Sequence, residues 1–312
     1  MGKVILFGEA MALLIAETTG PLEEVEHFSR AMSGAEVNVA IGLSRLGHRT
    51  EYLTRLGDDP FGHYIKNSLE KNEIGTSLIS FDNVYRTGIQ LKNRTTDGSD
   101  PYAPYYRKGS AASRITPADI EQIDFSDVDL VHVTGIPPAL SLTAREATFR
   151  LIDRAKEAGI RVTFDPNLRP ALWENTETMR TVINQLSEKA DMILPGIAEC
   201  EILTGCNDFD QIFRFYQDKG IHTVIIKDGS KGAVVSEAGN VFTVPGFKVE
   251  KVVDTVGAGD GFAVGVISGI LEGLSIRDSV RRGNAIGAIQ VTHRGDNEGL
   301  PTREELSGFL NK

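Results

Sequence analysis

Short apolar runs rich in β-branched residues alternate along the chain with longer stretches in which apolar residues recur every three or four positions. Residues 4–10 (VILFGEA) are the first such run and are predicted to form a buried strand. Further strands are predicted at 128–135, 161–167, 190–196 and 222–229. The stretches 143–159 and 176–190 have helical spacing. This alternation predicts an α/β fold with parallel strands, whose carboxyl ends form the ligand site.

Two segments depart from this rhythm. Residues 11–33 and 86–108 look like strand pairs around turns rich in glycine, proline and aspartate. We expect them to form a small β-sheet lid on the α/β body, and such a lid would exclude water from a reaction. Residues 1–312 are then predicted to form a single domain. The alternative is that both segments extend the main sheet. Exposed lid edges would suit a second subunit, so we expect a homo-oligomer.

Composition narrows the class of protein. The chain has 43 acidic and 33 basic residues and a net charge of −10, which disfavours nucleic acid or an anionic membrane as a partner. No apolar run reaches the roughly 18 to 20 residues that span a bilayer, and the N-terminus lacks the features of a secretory signal. Two cysteines exclude a disulfide framework, and the six histidines have no metal-ligand spacing. These features predict a cytoplasmic protein that acts on small molecules.

The stretch DTVGAGDGF (254–262) is the strongest chemical signal. It is not a P-loop, and a dinucleotide GxGxxG pattern fails because Phe262 stands where the last glycine should be. It predicts a glycine turn that opens a helix, whose free amides would bind a phosphate. Asp260 in the first turn would then accept a proton from an attacking hydroxyl. The alternative is that Asp260 merely caps the helix. Glycines at 261, 265, 269 and 273 predict close packing of one helix face.

The stretch DTVGAGDGF resembles the C-terminal signature of the ribokinase-like, or PfkB, family of carbohydrate kinases. A second stretch, SGAEVNVAIGLSRLG (33–47) followed by RLGDDPFG (55–62), resembles the family's sugar-binding glycine motif. The resemblance implies a three-layer α/β sandwich with a mostly parallel central sheet and a small β-sheet lid. It also implies Mg²⁺ and ATP as cofactors, with K⁺ as an aid in many members.

The resemblance also implies roles for individual residues. Asp260 is similar to the catalytic base, and the amides of Gly257, Ala258 and Gly259 to the anion hole. Gly34 and Asn38 resemble sugar-binding residues. The residues that resemble those of the nucleotide site are Lys227, Gly229, Ser230, Gly232, Gly257, Gly259 and Asn284, the last in the adenine pocket. Those that resemble metal ligands are Glu199, acting on Mg²⁺ through water, and Asp254 and Thr255 for a monovalent cation. Family members commonly carry Asn-x-x-Glu here, whereas this chain has Gly196 in place of the asparagine.

Two arginine-containing segments bear on the substrate. Arginine offers a bidentate fork to a carboxylate, so residues 102–113 and 164–173 favour a sugar acid over a neutral sugar. Both segments resemble those of family members that phosphorylate 2-keto-3-deoxygluconate to its 6-phosphate. That resemblance implies a substrate site that contains Gln90, Tyr106, Arg107 and Arg169.

Several alternatives stay open. Arg107 could be a solvated lid charge, and Arg169 a structural ion pair. The enzyme could be a fructokinase or another PfkB-type sugar kinase, since fructokinases share parts of both motifs. A catalytically silent regulator that binds sugar and nucleotide is the alternative from another class.

Overall fold

The computed structural model describes residues 3–95 and 101–311. Its strands in chain order are β1 (Lys3–Phe7), β2 (Met11–Thr19), β3 (Phe28–Ser33), β4 (Arg49–Gly57), β5 (Ile79–Asp82), β6 (Ile89–Arg94), β7 (Tyr105–Tyr106), β8 (Leu130–Thr134), β9 (Arg161–Asp165), β10 (Met192–Ile193), β11 (Thr223–Lys227), β12 (Gly232–Glu237) and β13 (Asn240–Pro245). Its α-helices are α1 (Ala35–Arg45), α2 (Pro60–Lys71), α3 (Pro117–Glu121), α4 (Pro137–Leu140), α5 (Leu142–Glu157), α6 (Thr176–Lys189), α7 (Ile197–Thr204), α8 (Phe209–Gln217), α9 (Ala258–Leu271), α10 (Ile276–Gln290) and α11 (Arg303–Leu310).

Among these residues the larger sheet has nine strands in the order β13-β12-β11-β10-β9-β8-β1-β4-β5. Its strands from β11 to β5 pair in parallel, whereas β12 and β13 add an antiparallel hairpin at one edge. The predicted mostly parallel sheet is therefore confirmed. The strand predicted at 190–196 is shorter than expected, with only Met192–Ile193 in β10, because Pro195 has no amide to donate.

Helices cover both faces of this sheet, which makes three layers. Successive residues of β1 point to opposite faces. Ile5 and Phe7 pack in one apolar core with α5, α6 and α8, while Val4 and Leu6 pack in a second core with α1, α9 and α10. Burial on both faces explains why the sequence of the strand is apolar throughout. No helix in the described part of the chain combines the length and apolar character needed to cross a bilayer.

The helices α9 and α10 approach closely. A Cβ atom at Gly265 would lie 2.5 Å from the Cα of Gly283, and one at Gly269 would lie 2.5 Å from the hydroxyl of Ser279. Close packing is therefore confirmed at these two glycines and at Gly261, where a Cβ would lie 3.2 Å from Ile286 Cγ2. Gly273 differs, because it follows the end of α9 with a φ of +74° and has open space around it.

A separate sheet is formed by the two segments that broke the βαβ rhythm. Its order is β3-β2-β6-β7, with β2 antiparallel to β3 and parallel to β6, and β6 antiparallel to β7. We call these four strands the small sheet. The alternative, an extension of the main sheet, is wrong. Because β2 follows β1 after three residues, the small sheet stands at the carboxyl ends of the main strands.

Candidate active site

A cavity of about 390 Å³ lies between the small sheet and the carboxyl ends of the parallel strands. Both glycine motifs reach it. Gly34 and Asn38 come from the start of α1, and Gly257 and Asp260 come from the start of α9. A Cβ at Gly34 would lie 2.7 Å from the backbone oxygen of Glu9, so only glycine allows this approach. The fold thus brings together two motifs that are more than two hundred residues apart.

The start of α9 has the form of an anion site. Gly257 is its N-cap with a φ of +77°, and no side chain caps the helix. A Cβ at this position would lie 2.1 Å from the backbone oxygen of Asp296. The sequence therefore needs glycine here for two separate reasons. The first amides of α9 have no capping side chain, which leaves them available to an anionic ligand.

Asp260 does not cap α9. Its carboxylate accepts a hydrogen bond from Asn38 Nδ2 at 2.7 Å and one from Asn167 Nδ2 at 3.5 Å. Burial raises the pKa of Asp260 from 3.8 to about 6, against the opposing effects of Asn38, Arg169 and Lys227. A carboxylate whose pKa lies nearer to neutrality is a better general base than an ordinary surface aspartate. The capping alternative is therefore wrong in this structure.

Lys227 lies beside the same helix start. Its ammonium group is 2.6 Å from Asp165 Oδ2 and within 4 Å of where a Cβ on Gly259 would stand. Burial lowers the pKa of Lys227, but the carboxylates of Asp165 and Glu199 outweigh burial and raise it. Lys227 is therefore a fixed positive charge at the edge of the anion site.

The remaining residues predicted for nucleotide binding lie outside the cavity. Gly229 and Ser230 form an exposed turn after β11, and Gly232 begins β12. Asn284 is buried, and its side-chain amide donates to the backbone oxygens of Val244 and Pro245. These hydrogen bonds hold α10 against β13, and the place of Asn284 in an adenine pocket stays a prediction.

Two predicted metal ligands already have protein partners. Glu199 accepts hydrogen bonds from the amides of Leu168 and Gly196, each at 2.7 Å. Asp254 accepts from the amide of Val256 and faces the ammonium group of Lys92 at 3.6 Å. Thr255 lines the cavity. Within the described residues no cluster of three or more His, Cys, Asp or Glu side chains is arranged to hold a metal ion.

The small sheet supplies the wall opposite α9. Gln90 is buried, and its side-chain oxygen has no hydrogen-bond partner. Tyr105 pairs with Gln90 across the two strands and lines the cavity, whereas Tyr106, on the other face of β7, is 65% exposed and does not. Successive side chains of a strand point to opposite faces, so Tyr105, two residues before Arg107, lies on the same face as Arg107. Tyr105 therefore replaces Tyr106 in the predicted site.

The two predicted substrate arginines differ. Arg107 is only 7% exposed, and its guanidinium contacts Glu9 Oε2 at 2.5 and 2.6 Å, so it is not a solvated charge. Arg169 is exposed at the cavity and donates to the backbone oxygen of Leu168. Among the described residues it forms no ion pair, so the structural ion-pair alternative is wrong.

Sequence reasoning missed several polar residues at the cavity. Glu9 lies two residues after the end of β1, Asp165 is the last residue of β9, and Asn167 lies two residues further on. The rule that ligands bind at strand ends could have found all three. Glu36 lies in α1 and not at the end of a strand, so that rule could not have found it. Burial raises the pKa of Glu36 to about 7, despite the hydrogen bond that its carboxylate accepts from Thr134.

A family profile described as pfkB family carbohydrate kinase matches residues 1–303. The chain belongs to the pfkB family of carbohydrate kinases. One relative is the 2-dehydro-3-deoxygluconokinase of Bacillus subtilis (strain 168), which is 47% identical over 98% of this chain and 94% of the relative.

Solved structures of similar proteins agree with the fold. A PfkB protein from Polaromonas sp. JS666 is 43% identical with a TM-score of 0.89, covering 98% of this chain and 99% of that one. A fructokinase double mutant from Vibrio cholerae O395, in fructose, ADP and potassium ion bound form, is 28% identical with a TM-score of 0.86, covering 99% and 98%. The pfkB fold and the carbohydrate kinase class that the sequence predicted are confirmed.

Proposed function

We propose that this pfkB-family kinase transfers the γ-phosphoryl group of ATP to 2-dehydro-3-deoxygluconate, also called 2-keto-3-deoxygluconate. The observation that carries the choice of a sugar acid is Arg169, a guanidinium at the cavity without a carboxylate partner among the described residues. A carboxylate of the substrate would complete its bidentate fork. The 2-dehydro-3-deoxygluconokinase relative at 47% identity supports the same substrate.

Asp260 acts as the general base in this proposal. The primary hydroxyl of the sugar acid loses its proton to the Asp260 carboxylate while its oxygen bonds to the γ-phosphorus. The bond between that phosphorus and the oxygen of ADP breaks, and the products are the 6-phosphate and ADP. Asn38 holds one carboxylate oxygen in place at 2.7 Å, and the other oxygen, which only the longer 3.5 Å contact from Asn167 reaches, takes the proton.

The nucleotide phosphates lie at the start of α9, where the amides from Gly257 to Asp260 and the ammonium of Lys227 stabilise their charge. The donors present fit Mg²⁺, because this ion is usually bound by one or two carboxylates, water and substrate phosphates. Asp165 and Glu199 line the cavity and would be those carboxylates, with Glu199 acting through water. When bound, Mg²⁺ would neutralise charge on the transferred phosphoryl group.

The small sheet acts as the lid of the site, within a chain that we treat as one domain. It contributes Gln90 and Tyr105 to the cavity wall, and Arg107 follows β7 directly, so closure of the sheet would exclude water from the phosphoryl group. Assembly into a homo-oligomer and a cytoplasmic location also belong to this proposal. The free thiols of Cys200 and Cys206 are consistent with a reducing compartment.

An ADP-coupled assay over 2-dehydro-3-deoxygluconate, fructose and ribose tests this proposal. We expect the sugar acid to have the highest kcat/KM. Arg169→Lys should raise KM for the sugar acid by about tenfold or more, since it loses a charge-assisted hydrogen bond, and leave KM for fructose nearly unchanged.

The matched control is Arg161→Lys, because Arg161 begins β9 whereas Arg169 lies beyond the other end of that strand. This change should leave KM for the sugar acid and KM for fructose at their parental values. A clear preference for fructose would favour the fructokinase alternative. Binding of sugar acid and ATP without turnover would favour the silent regulator.

A further inference from the structure

The loop that precedes α9 packs against the loop that follows α10. Asp254 accepts hydrogen bonds from the amides of Val256 at 3.0 Å and Gly295 at 3.3 Å, which join the two loops. Asp296 abuts Gly257 through its backbone oxygen. The acceptors gathered here are the Asp254 carboxylate and nearby backbone carbonyls. Such oxygens are the ligands that a monovalent cation uses, and the sequence resemblance placed one at Asp254 and Thr255.

Gln290 already occupies two of these acceptors. Its side-chain nitrogen donates to the backbone oxygens of Gly295 at 2.8 Å and Val256 at 3.3 Å, and the side chain is fully buried. The orientation of the amide follows from chemistry, because a carbonyl oxygen accepts hydrogen bonds and cannot face the amide oxygen favourably. The Gln290 amide therefore stands between two oxygens that a cation would need.

Lys92 brings a positive charge to the same place. Its ammonium group is 3.1 Å from Asp296 Oδ1 and 3.6 Å from Asp254 Oδ2, and the residue is only 8% exposed. The other carboxylate oxygen of Asp296, Oδ2, accepts a hydrogen bond from the hydroxyl of Ser33 at 3.2 Å. A buried ammonium between two carboxylates supplies the charge that would otherwise have to come from solution.

The residues around Asp254 thus do not fit a bound K⁺ ion. We propose that Lys92 and Gln290 take the place of a monovalent cation at this loop, so that this kinase needs no potassium. Lys92 comes from β6 of the small sheet, whereas Asp254 leads into α9. Lys92 is therefore a positioning residue that couples the small sheet to the anion site.

A fructokinase of the same fold has been solved in potassium ion bound form. Two members of one family would then meet the same electrostatic need in different ways, one with an ion and the other with side chains. The inference concerns kinetics and so rests on the proposed kinase activity, but ion binding can be measured without turnover.

The first experiment uses the wild-type protein. Turnover is measured from nominally zero to saturating K⁺, with tetramethylammonium holding the ionic strength constant. We expect kcat to change by less than about twofold, because the ammonium is built in. Thermal unfolding in the same titration should give no K⁺-dependent rise in Tm, whereas an ion that binds the native state would raise it.

A K⁺ activation above about fivefold overturns the inference, and so does a K⁺-specific rise in Tm. If the proposed substrate gives no turnover, the function proposal fails, and the Tm titration still decides the ion question.

The second experiment changes Lys92→Met, which keeps the unbranched apolar part of the side chain and removes its ammonium group. Two carboxylates then lack their cation, so kcat should fall about tenfold or more and recover in part when K⁺ or NH₄⁺ is added. Lys66→Met is the control, since Lys66 makes an i,i+4 pair on the exposed side of α2. It should keep the parental kcat.

A folded Lys92→Met protein, as judged by circular dichroism, with parental kcat in K⁺-free buffer contradicts the inference. If Lys92→Met does not fold, the wild-type titration decides alone.

Discussion

Asp260→Asn is the change that tests the site most directly. The substitution keeps the size of the side chain and an acceptor for the Asn38 hydrogen bond, but removes the group that takes the proton. Burial raises the pKa of Asp260 from 3.8 to about 6. A pKa difference of that size corresponds to about 3 kcal/mol between the two protonation states. The fold therefore maintains an ionised Asp260 at neutral pH at the expense of stability.

The sign of the effect on stability follows from proton linkage. A carboxyl group whose pKa is higher in the folded state binds its proton more tightly there than in the unfolded chain. The native protein consequently loses stability as the pH rises from about 4 to about 6, and the loss is complete above the folded pKa. Asp260→Asn has no such group, so it should gain up to about 3 kcal/mol at pH 8 and almost nothing near pH 3.

The expected loss of activity is much larger than any structural effect would give. Removing a general base costs about 10² to 10⁴ in kcat. Turnover would be measured with saturating ATP and sugar acid, and stability by urea unfolding at both pH values. The control is Asp278→Asn, since Asp278 also lies in the first turn of a helix but outside the cavity. It should retain parental kcat and show no gain in stability at pH 8.

Two outcomes would refute this reasoning. A kcat for Asp260→Asn within about threefold of the parental value would show that Asp260 is not the base. A fall in kcat without a pH-dependent gain in stability would show that burial does not raise the pKa of Asp260 as described.

The pH dependence of turnover and the close fit of Gly257 both test the same site. The kcat/KM profile should fall about tenfold per pH unit below about 6, and Glu36→Gln should leave that limb in place, which shows that Asp260 and not Glu36 is titrating. An acid limb near 4 would contradict this. Gly257→Ala should lower stability by about 2 kcal/mol or more in urea unfolding and reduce kcat, because its Cβ would lie 2.1 Å from a backbone oxygen. In Gly220→Ala, with a φ of +81° but open space, only the backbone strain should appear and kcat should persist, and equal effects at both sites would contradict the steric argument.

The fold was largely predictable because its strands and helices have clear periodicity. The stretches 143–159 and 176–190 correspond to α5 and α6, and the apolar runs correspond to strands buried on both faces. The interruption of that periodicity at 11–33 and 86–108 indicated a separate sheet. What periodicity could not predict is strand order, since the pairing of β1 with both β4 and β8 depends on tertiary packing.

The candidate site was predictable only where a motif specifies backbone geometry. Gly34, Gly257 and Asp260 meet at the cavity because their local sequences dictate helix starts. The partners of a charged side chain could not be predicted in this way, since they come from distant segments of the chain. Nothing in the sequence near Lys92 or Asp254 indicates that the two side chains face each other. The choice between neighbouring tyrosines likewise required the register of β7 against β6.

Charge pairing at the cavity explains how an acidic chain can select an acidic substrate. In the described part of the chain four cationic side chains line the cavity, and three of them face carboxylates: Lys92 with Asp254 and Asp296, Arg107 with Glu9, and Lys227 with Asp165. These pairs fix positions but leave little net positive charge. The groups left to attract anions are then Arg169, for the carboxylate of the sugar acid, and the amides at the start of α9, for the nucleotide phosphates. A sugar acid and a nucleotide phosphate therefore have one unsatisfied partner each, and a neutral sugar would leave Arg169 without one.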